Sequence, residues 1–104
     1  MGTVLFLTTI DEKNADEFSK KIVKEHFAAC VNKIPGILST YYWEGSLCQD
    51  NEVLLLIKSS DFKASECFNY MDKNHPYDVP EIIQLTPAKV HSGYDSWVTN
   101  MCKH

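Results

Sequence analysis

The order of apolar and polar residues predicts a strand and a helix at the start of the chain. The segment Thr3 to Thr9 is short, apolar and rich in β-branched residues, which is typical of a buried strand. Asp11 is a suitable N-cap for a helix that we predict to continue to His26. The apolar positions of this helix recur at helical spacing, at Ala15, Phe18, Ile22 and Val23.

Two long strands joined by a tight turn are predicted next. Ala28 to Trp43 has the composition of a strand, and Pro35-Gly36 within it marks a bulge, a kink or an edge position. Glu44-Gly45 is a turn signal. The third strand covers at least Glu52 to Lys58 and can begin as early as Ser46.

The second part of the chain repeats the helix-then-strand order. Asp61 begins a predicted helix that Pro76 ends, and its apolar stripe consists of Ala64, Cys67, Phe68 and Met71. Val79 to Leu85 is the fourth predicted strand. A last helix begins at Ser92 or Asp95, with a stripe that consists of Tyr94, Trp97, Val98 and Met101.

This order, βαββαβ followed by a C-terminal helix, predicts one α+β domain over residues 1–104 with a ferredoxin-like fold. Split βαβ units of this kind form a four-stranded antiparallel sheet with both main helices on one face. A chain of 104 residues buries enough surface to fold without disulfides or metals.

The predicted hairpin is too long for a compact monomer. Two strands of about 14 residues span roughly 46 Å at ~3.3 Å per residue, whereas a domain of this size has a radius of gyration near ~13 Å. Its projecting part contains Tyr41, Tyr42 and Trp43, whose side chains must point to both faces. A bare aromatic ribbon aggregates unless another chain covers it, so we expect a homo-oligomer joined through the hairpin.

Composition excludes several classes of protein. Ten basic against fourteen acidic residues give a formal charge of −4, which argues against a dedicated nucleic-acid-binding protein. The longest apolar run, Val53 to Ile57, is far shorter than the ~20 residues of a transmembrane helix, so we expect no membrane association. The chain start has no signal-peptide features, and the four cysteines contain no C-x-x-C pair. We therefore expect a reducing, cytoplasmic setting.

Five motifs in order along residues 4 to 98 resemble those of the CutA family, the divalent-cation tolerance proteins. Ala28 to Gly36 (AACVNKIPG) resembles the AACVN-x-x-PG segment of that family, and Ser39 to Gly45 (STYYWEG) resembles its S-x-Y-x-W-x-G hairpin. The other three motifs are the strand at Glu52 to Lys58, the HPY-x-VPEI signature at His75 to Ile83, and the closing Y-x-x-W at Tyr94 and Trp97.

The resemblance implies a tight cytoplasmic homotrimer with a binding cleft where subunits meet, in an architecture like that of the PII signalling proteins. The family is associated with tolerance to and binding of divalent cations, copper especially. It brings no established catalytic mechanism, so we expect no enzyme activity. No cofactor is obligatory, and Cu(II) or another divalent cation is the expected ligand.

His75 is the best single candidate for a metal ligand, because it precedes a proline at a helix end and imidazole commonly binds copper and zinc. The alternative is that His75 caps the second helix or orders the turn. Some bacterial members of the family have a second His before HPY and a Cys on the first strand, both linked to copper, where this chain has Asn74 and Leu7. A copper site without these two residues would be shared between subunits or would bind the metal opportunistically. The other histidines, expected to be exposed, are His26, His91 and His104.

Four polar residues inside the family motifs are further candidates for ligand binding: Glu52, Lys58, Tyr77 and Glu81. Two carboxylates and one ammonium can frame a cationic or an anionic ligand, and paired carboxylates can also transfer protons. The alternative is a salt bridge between subunits, in which Lys58 pairs with Glu81 or Glu52 and Tyr77 is hydrogen-bonded nearby.

Cys30 and Trp43 complete the candidate cleft. Cys30 is a ligand or nucleophile if a neighbouring base or cation lowers its pKa, but its position between Ala29 and Val31 favours core packing. Trp43 is favoured as an interface anchor over a ligand platform.

The sequence as a whole favours a homotrimer that binds divalent metal ions. The alternatives are a PII-like sensor of a small anion or metabolite in the cleft between subunits, and a trimeric scaffold without a ligand. No glycine-rich phosphate cradle supports a nucleotide ligand. A hydrolase built on Cys30 and His75 would require those two side chains within hydrogen-bond reach.

Overall fold

In a computed structural model that describes residues 2–103, the chain forms a four-stranded antiparallel sheet and three α-helices. The elements are β1 (Thr3–Ile10), α1 (Glu12–Lys24), β2 (Cys30–Trp43), β3 (Ser46–Ser60), α2 (Ala64–Asn74), β4 (Ile82–Leu85) and α3 (Ser92–Met101). The strand order is β2-β3-β1-β4, and each neighbouring pair is antiparallel. This topology confirms the predicted ferredoxin-like α+β fold. No helix within residues 2–103 is long and apolar enough to span a membrane.

The core lies between one face of the sheet and the helices α1 and α2. On β1 and β3 the inward positions alternate, and Phe6 of β1 lies opposite Ile57 of β3 with both side chains fully buried. Each helix adds most of the apolar stripe predicted from its spacing, with Ile22 from α1 and Met71 from α2 fully buried. Two predicted members of these stripes are exposed instead, Val23 at 36% and Phe68 at 37%. Both helices therefore cover the same face of the sheet, as predicted.

α1 ends at Lys24, before the predicted end at His26. The backbone of His26 has a positive φ of 61°. The N–H of His26 donates to the carbonyl of Val23, and the N–H of Phe27 donates to that of Ile22. This is the Schellman arrangement that ends many helices, with a histidine at the position that usually holds glycine. Its imidazole is half-buried against the carbonyl of Met101 instead of exposed.

The β2–β3 hairpin is the longest part of the molecule, as predicted. Its strands of 14 and 15 residues extend along a molecule whose longest dimension is 44 Å, against 26 and 22 Å in the other directions. They meet at the predicted Glu44-Gly45 turn. The register of the pairing shifts between Ile34 and Ile37, so Pro35-Gly36 forms a bulge on β2, which is an edge strand.

Two predicted boundaries differ from the structure. A single 3-10 turn at Asp61–Lys63 precedes α2, so the regular helix begins at Ala64 and not at Asp61. β4 begins at Ile82 and not at Val79. The residues before β4 are irregular, because Pro80 has no N–H to donate and the carbonyl of Thr9, next along β1, is bonded to a side chain.

The second face of the sheet is apolar and only partly covered. Its apolar positions are Leu5, Leu7, Ile34, Leu54, Leu56, Ile83 and Leu85. α3 packs against the end of β1 and β3, where the Asp95 carboxylate accepts hydrogen bonds from the N–H and hydroxyl of Thr3 at 2.7 and 2.6 Å. No helix formed by residues 2–103 covers the rest of this face, and Ile83 and Leu85 are 44% and 43% exposed.

Candidate functional site

A cleft of about 660 Å³ lies between the β2–β3 hairpin and residues 77–81, which lead into β4. Its lining includes four of the residues predicted from the sequence: Trp43, Glu52, Tyr77 and Glu81. Asp78 contributes a third carboxylate. Within the described chain, no Lys, Arg or His lines this cleft, so its electrostatic potential is negative. The arrangement therefore favours a cation over an anion.

Tyr77 and Glu52 form a polar contact beside the middle of β3. The Tyr77 hydroxyl donates to Glu52 Oε2 at 2.7 Å. Burial raises the pKa of Tyr77 well above its usual value, and the hydrogen bond to Glu52 raises it further. The phenol therefore stays protonated near neutral pH and keeps Glu52 in a fixed orientation beside the cleft.

The hairpin contributes residues that the sequence did not assign to the cleft. Ser39 and Tyr41 line the cleft together with Trp43, because alternate residues of β2 point to the same face. The Tyr41 hydroxyl donates to the Asp50 carboxylate across the hairpin, and this bond raises the pKa of Tyr41 to about 12. Their positions two and four residues before Trp43 on the same strand were the signal that could have identified Tyr41 and Ser39.

His75 lies beneath this site and is buried. Its Nε2–H donates to the carbonyl of Thr9 at 3.0 Å and lies 3.1 Å from the Thr8 hydroxyl. Its Nδ1 accepts the N–H of Tyr77 at 3.2 Å, so both ring nitrogens are occupied. Burial lowers the pKa of His75, which favours the neutral imidazole that these bonds require. This geometry matches the alternative in which His75 orders the turn. To bind a metal ion, a ring nitrogen of His75 would first have to give up its hydrogen bond to the Thr9 carbonyl or to the Tyr77 N–H.

Cys30 and Lys58 lie away from the cleft. They are opposite each other in the β2–β3 register, and the Cys30 thiol is beside the Tyr94 hydroxyl of α3. Lys58 is six positions along β3 from Glu52, about 20 Å in an extended strand, so the two cannot pair within one subunit. Cys30 and His75 share no hydrogen bond, which leaves the hydrolase alternative without its required contact.

The remaining histidines and thiols give no metal cluster. His91 is exposed, and its Nδ1 accepts the N–H groups of Gly93 and Tyr94 at the start of α3. His104 lies outside the described residues. Between residues 2 and 103 the structure contains no group of three or more His, Cys, Asp or Glu side chains that could hold a metal ion. A cation in the cleft would therefore need ligands from beyond one subunit.

Comparison with known proteins agrees with these features. The sequence model described as "CutA1 divalent ion tolerance protein" matches residues 3–101. A protein of Thermus thermophilus named "Divalent-cation tolerance protein CutA" is 37% identical over 98 residues, which cover 94% of this chain and 95% of the relative.

Solved structures share the same fold. CutA1 from Oryza sativa superposes with a TM-score of 0.92 at 33% identity, covering 99% of this chain and 95% of that one. A structure titled "PII-like protein CutA" from Nostoc superposes with a TM-score of 0.91 at 27% identity, covering 98% of this chain and 97% of that one.

Proposed function

The chain belongs to the CutA1 family of divalent ion tolerance proteins, and on that premise we propose that it is a homotrimer that binds divalent cations, copper in particular, in its acidic cleft. The observation that carries the proposal is the lining of the cleft. Glu52, Asp78 and Glu81 supply carboxylates and no basic side chain from the described residues neutralises them. Carboxylates, with water, are ligands that Cu(II) and other divalent cations accept.

The cleft of one subunit holds too few ligands for a tight site. Glu52 is already oriented by Tyr77, while Asp78 and Glu81 are exposed. We propose that a neighbouring subunit completes the ligand set at this cleft. This assembly also explains the exposed aromatic residues of the hairpin, since Tyr42 and Trp43 are 75% and 48% exposed in the single chain.

The uncovered apolar sheet face supports the same assembly. Ile34, Ile83 and Leu85 are each more than 40% exposed and lie on one continuous face. Covering such a face with copies of the same chain removes the apolar area from water without a second partner. We further propose that each chain is a single domain without enzyme activity. The proposed setting is reducing and cytoplasmic, which suits the four free thiols.

Calorimetric titration of Cu(II) and of Zn(II) into the reduced protein tests the proposed site. We expect sub-micromolar, stoichiometric binding that weakens about tenfold or more in Glu52→Gln and in Glu81→Gln, because each change removes a charged ligand. Glu66→Gln is the matched control, since Glu66 is exposed on α2 and does not line the cleft.

The outcome for His75→Ala separates the two roles considered for that residue. If His75→Ala loses all metal binding while the carboxylate variants bind as wild type does, the metal ligand is His75 and not the cleft carboxylates. A Cu(II) affinity that is unchanged in Glu52→Gln, Glu81→Gln and His75→Ala would refute the proposed site.

A second candidate function is a sensor of a small molecule. The cleft volume lies within the ~300–1,000 Å³ of typical ligand pockets, and aromatic side chains line it. A thermal-shift screen of metabolites without added metal tests this candidate. A stabilising metabolite, together with weak Cu(II) binding, would favour the sensor over the cation-binding protein.

A further inference from the structure

A groove of about 500 Å³ lies between α1 and the edge strand β2. We call it the lysine groove, and its lining consists of Ser19, Lys20, Val23, Lys24, Val31 and Lys33. Val31 packs against the core between the sheet and the helices, and Lys33, two positions along β2, points to the same side. The lysine groove therefore lies on the opposite side of the sheet from the apolar face proposed for assembly.

The rim of the lysine groove is positively charged in a chain whose formal charge is −4. Asp16 binds two of its three lysines, with Oδ2 2.9 Å from Lys20 Nζ and Oδ1 2.5 Å from Lys33 Nζ. The hydrogen bonds from Lys33 and Lys20 lower the pKa of Asp16 to about 2, so its carboxylate stays charged and holds both lysines beside the groove. Lys24 forms no ion pair within residues 2–103. Three ammonium groups against one carboxylate leave an excess of two positive charges, which attracts an anion.

The floor of the lysine groove is apolar and includes one buried hydroxyl without a partner. Val23 and Val31 supply the apolar side chains. Ser19 is only 4% exposed, and its Oγ has no hydrogen-bond partner among the residues that the structure describes. A buried hydroxyl without a partner destabilises the folded state, so a ligand that accepts its proton gains affinity there.

We propose that the lysine groove binds a small, soluble phosphate monoester that carries an apolar group. A phosphate monoester has a charge of about −2 at neutral pH, which matches the excess charge at the rim, whereas a carboxylate would leave one positive charge uncompensated. Lysine is a common ligand of phosphate groups. The Ser19 hydroxyl donates to a phosphate oxygen, and the apolar group packs on Val23 and Val31.

Titration of the full chain with hexyl phosphate, followed by calorimetry and by two-dimensional NMR of the backbone amides, tests the proposal. We expect hexyl phosphate to bind at least about tenfold more tightly than inorganic phosphate, because its alkyl chain covers the two valines. Hexanol lacks the charge and should also bind at least about tenfold more weakly than hexyl phosphate. The amide signals that shift should belong to residues 19–24 and 31–33.

Two variants test the residues of the lysine groove. In Lys24→Gln we expect the affinity for hexyl phosphate to decrease about tenfold, because a charged donor is lost. Lys21→Gln is the matched control, since Lys21 lies on the same helix, pairs with Glu17 and does not line the groove. In Ser19→Ala we expect the affinity to decrease about threefold or more, while the free protein is no less stable than wild type, because the hydroxyl has no bond to lose. A serine with a structural role alone would change stability and leave the affinity unchanged.

Several outcomes would overturn the proposal. These are equal affinities of hexyl phosphate and inorganic phosphate, equal affinities of wild type and Lys24→Gln, and no binding at millimolar hexyl phosphate. Vesicles that contain phosphatidic acid distinguish a lipid surface from a soluble ligand, and a chain that sediments with them without binding hexyl phosphate also overturns it. Glu52→Gln should leave hexyl phosphate binding unchanged, so failure of the lysine groove and failure of the proposed cleft are distinguishable.

Discussion

At the residue scale, the side chain of His75 makes a hydrogen bond to β1 that a backbone N–H before β4 would otherwise make. β4 pairs with β1 as far as Ile82 opposite Thr8, and the next carbonyl on β1, that of Thr9, accepts the Nε2–H of His75 instead. The other ring nitrogen accepts the N–H of Tyr77. One neutral imidazole thus satisfies two backbone groups and holds Tyr77 beside the cleft.

The burial of His75 predicts a loss of stability on acidification. Because the folded pKa of His75 is below its ordinary value of 6.5, the unfolded chain binds more protons as the pH decreases below 6.5. The contribution of His75 is therefore complete above pH 6.5 and lost below it. Urea unfolding as a function of pH measures this effect. We expect a smaller pH dependence in His75→Gln than in wild type, and equal slopes in the two proteins would contradict the assignment.

Tyr77 gives a second prediction at this scale. In Tyr77→Phe we expect the free energy of unfolding to decrease by about 1–2 kcal/mol, because Glu52 loses its donor in a half-buried position. The charge of Glu52 remains, so calorimetry should show cation affinity changed by less than it is in Glu52→Gln. Tyr42→Phe, at an exposed hairpin position, is the control for both measurements. A Tyr77→Phe variant as stable as wild type would show that this bond contributes nothing.

The residue pattern predicted part of the cleft and missed the rest for a physical reason. Trp43, Glu52, Tyr77 and Glu81 were grouped through their motifs, and all four line one cleft. Lys58 was grouped with them, although its position six residues from Glu52 on one extended strand places the two side chains too far apart to share a cleft. The contacts of His75 join residues 66 and 67 positions apart, and no local pattern encodes contacts of that separation.

At the scale of the elements, the bulge in the hairpin depends on a glycine in a left-handed conformation. Gly36 has a φ of 74° at the bulge that shifts the register of β2. An added Cβ at Gly36 would meet no atom within 4 Å, so any cost of substitution comes from the backbone conformation alone.

We therefore expect Gly36→Ala to lower the free energy of unfolding by about 1 kcal/mol, measured by chemical denaturation. Gly36→Asn should cost less, because asparagine adopts this conformation more readily. An alanine variant as stable as wild type would mean that the bulge relaxes to another conformation.

Element boundaries show where local sequence signals were sufficient. The strand β1, the Glu44-Gly45 turn and the C-terminal helix α3 were all predicted, because each follows from neighbouring residues. The end of α1 was missed, since His26 occupies a position where glycine is the usual signal. The start of β4 was missed, since a side chain from a distant helix end occupies the carbonyl that would have extended it.

At the scale of the whole molecule, α1 and α2 cover one sheet face, and the other face is apolar and only partly covered, by α3. Ile83 and Leu85 on the edge strand and Ile34 on the opposite edge strand define the width of the open face. A face of this kind suits association with other copies of the chain. The acidic cleft, beside the hairpin that projects from the same sheet, is then placed where a neighbour can reach it.

The proposed assembly predicts that charge on this face dissociates it. We expect Ile83→Glu to shift the sedimentation equilibrium mass at micromolar concentration from a trimer to a monomer, because three carboxylates would be buried without partners. Phe62→Glu is the matched control, since Phe62 is similarly exposed, at 51% against 44%, but lies on the 3-10 turn before α2. A wild-type monomer would refute the homotrimer.

The most direct test of the proposed function is a crystal structure of the reduced protein grown with Cu(II), with diffraction data collected on both sides of the copper absorption edge. The account predicts an anomalous peak in the acidic cleft, within bonding distance of Glu52 or Glu81 and of a group from a neighbouring subunit. A peak at His75 with its ring turned away from Thr9, or a trimer whose cleft contains no copper, would contradict it.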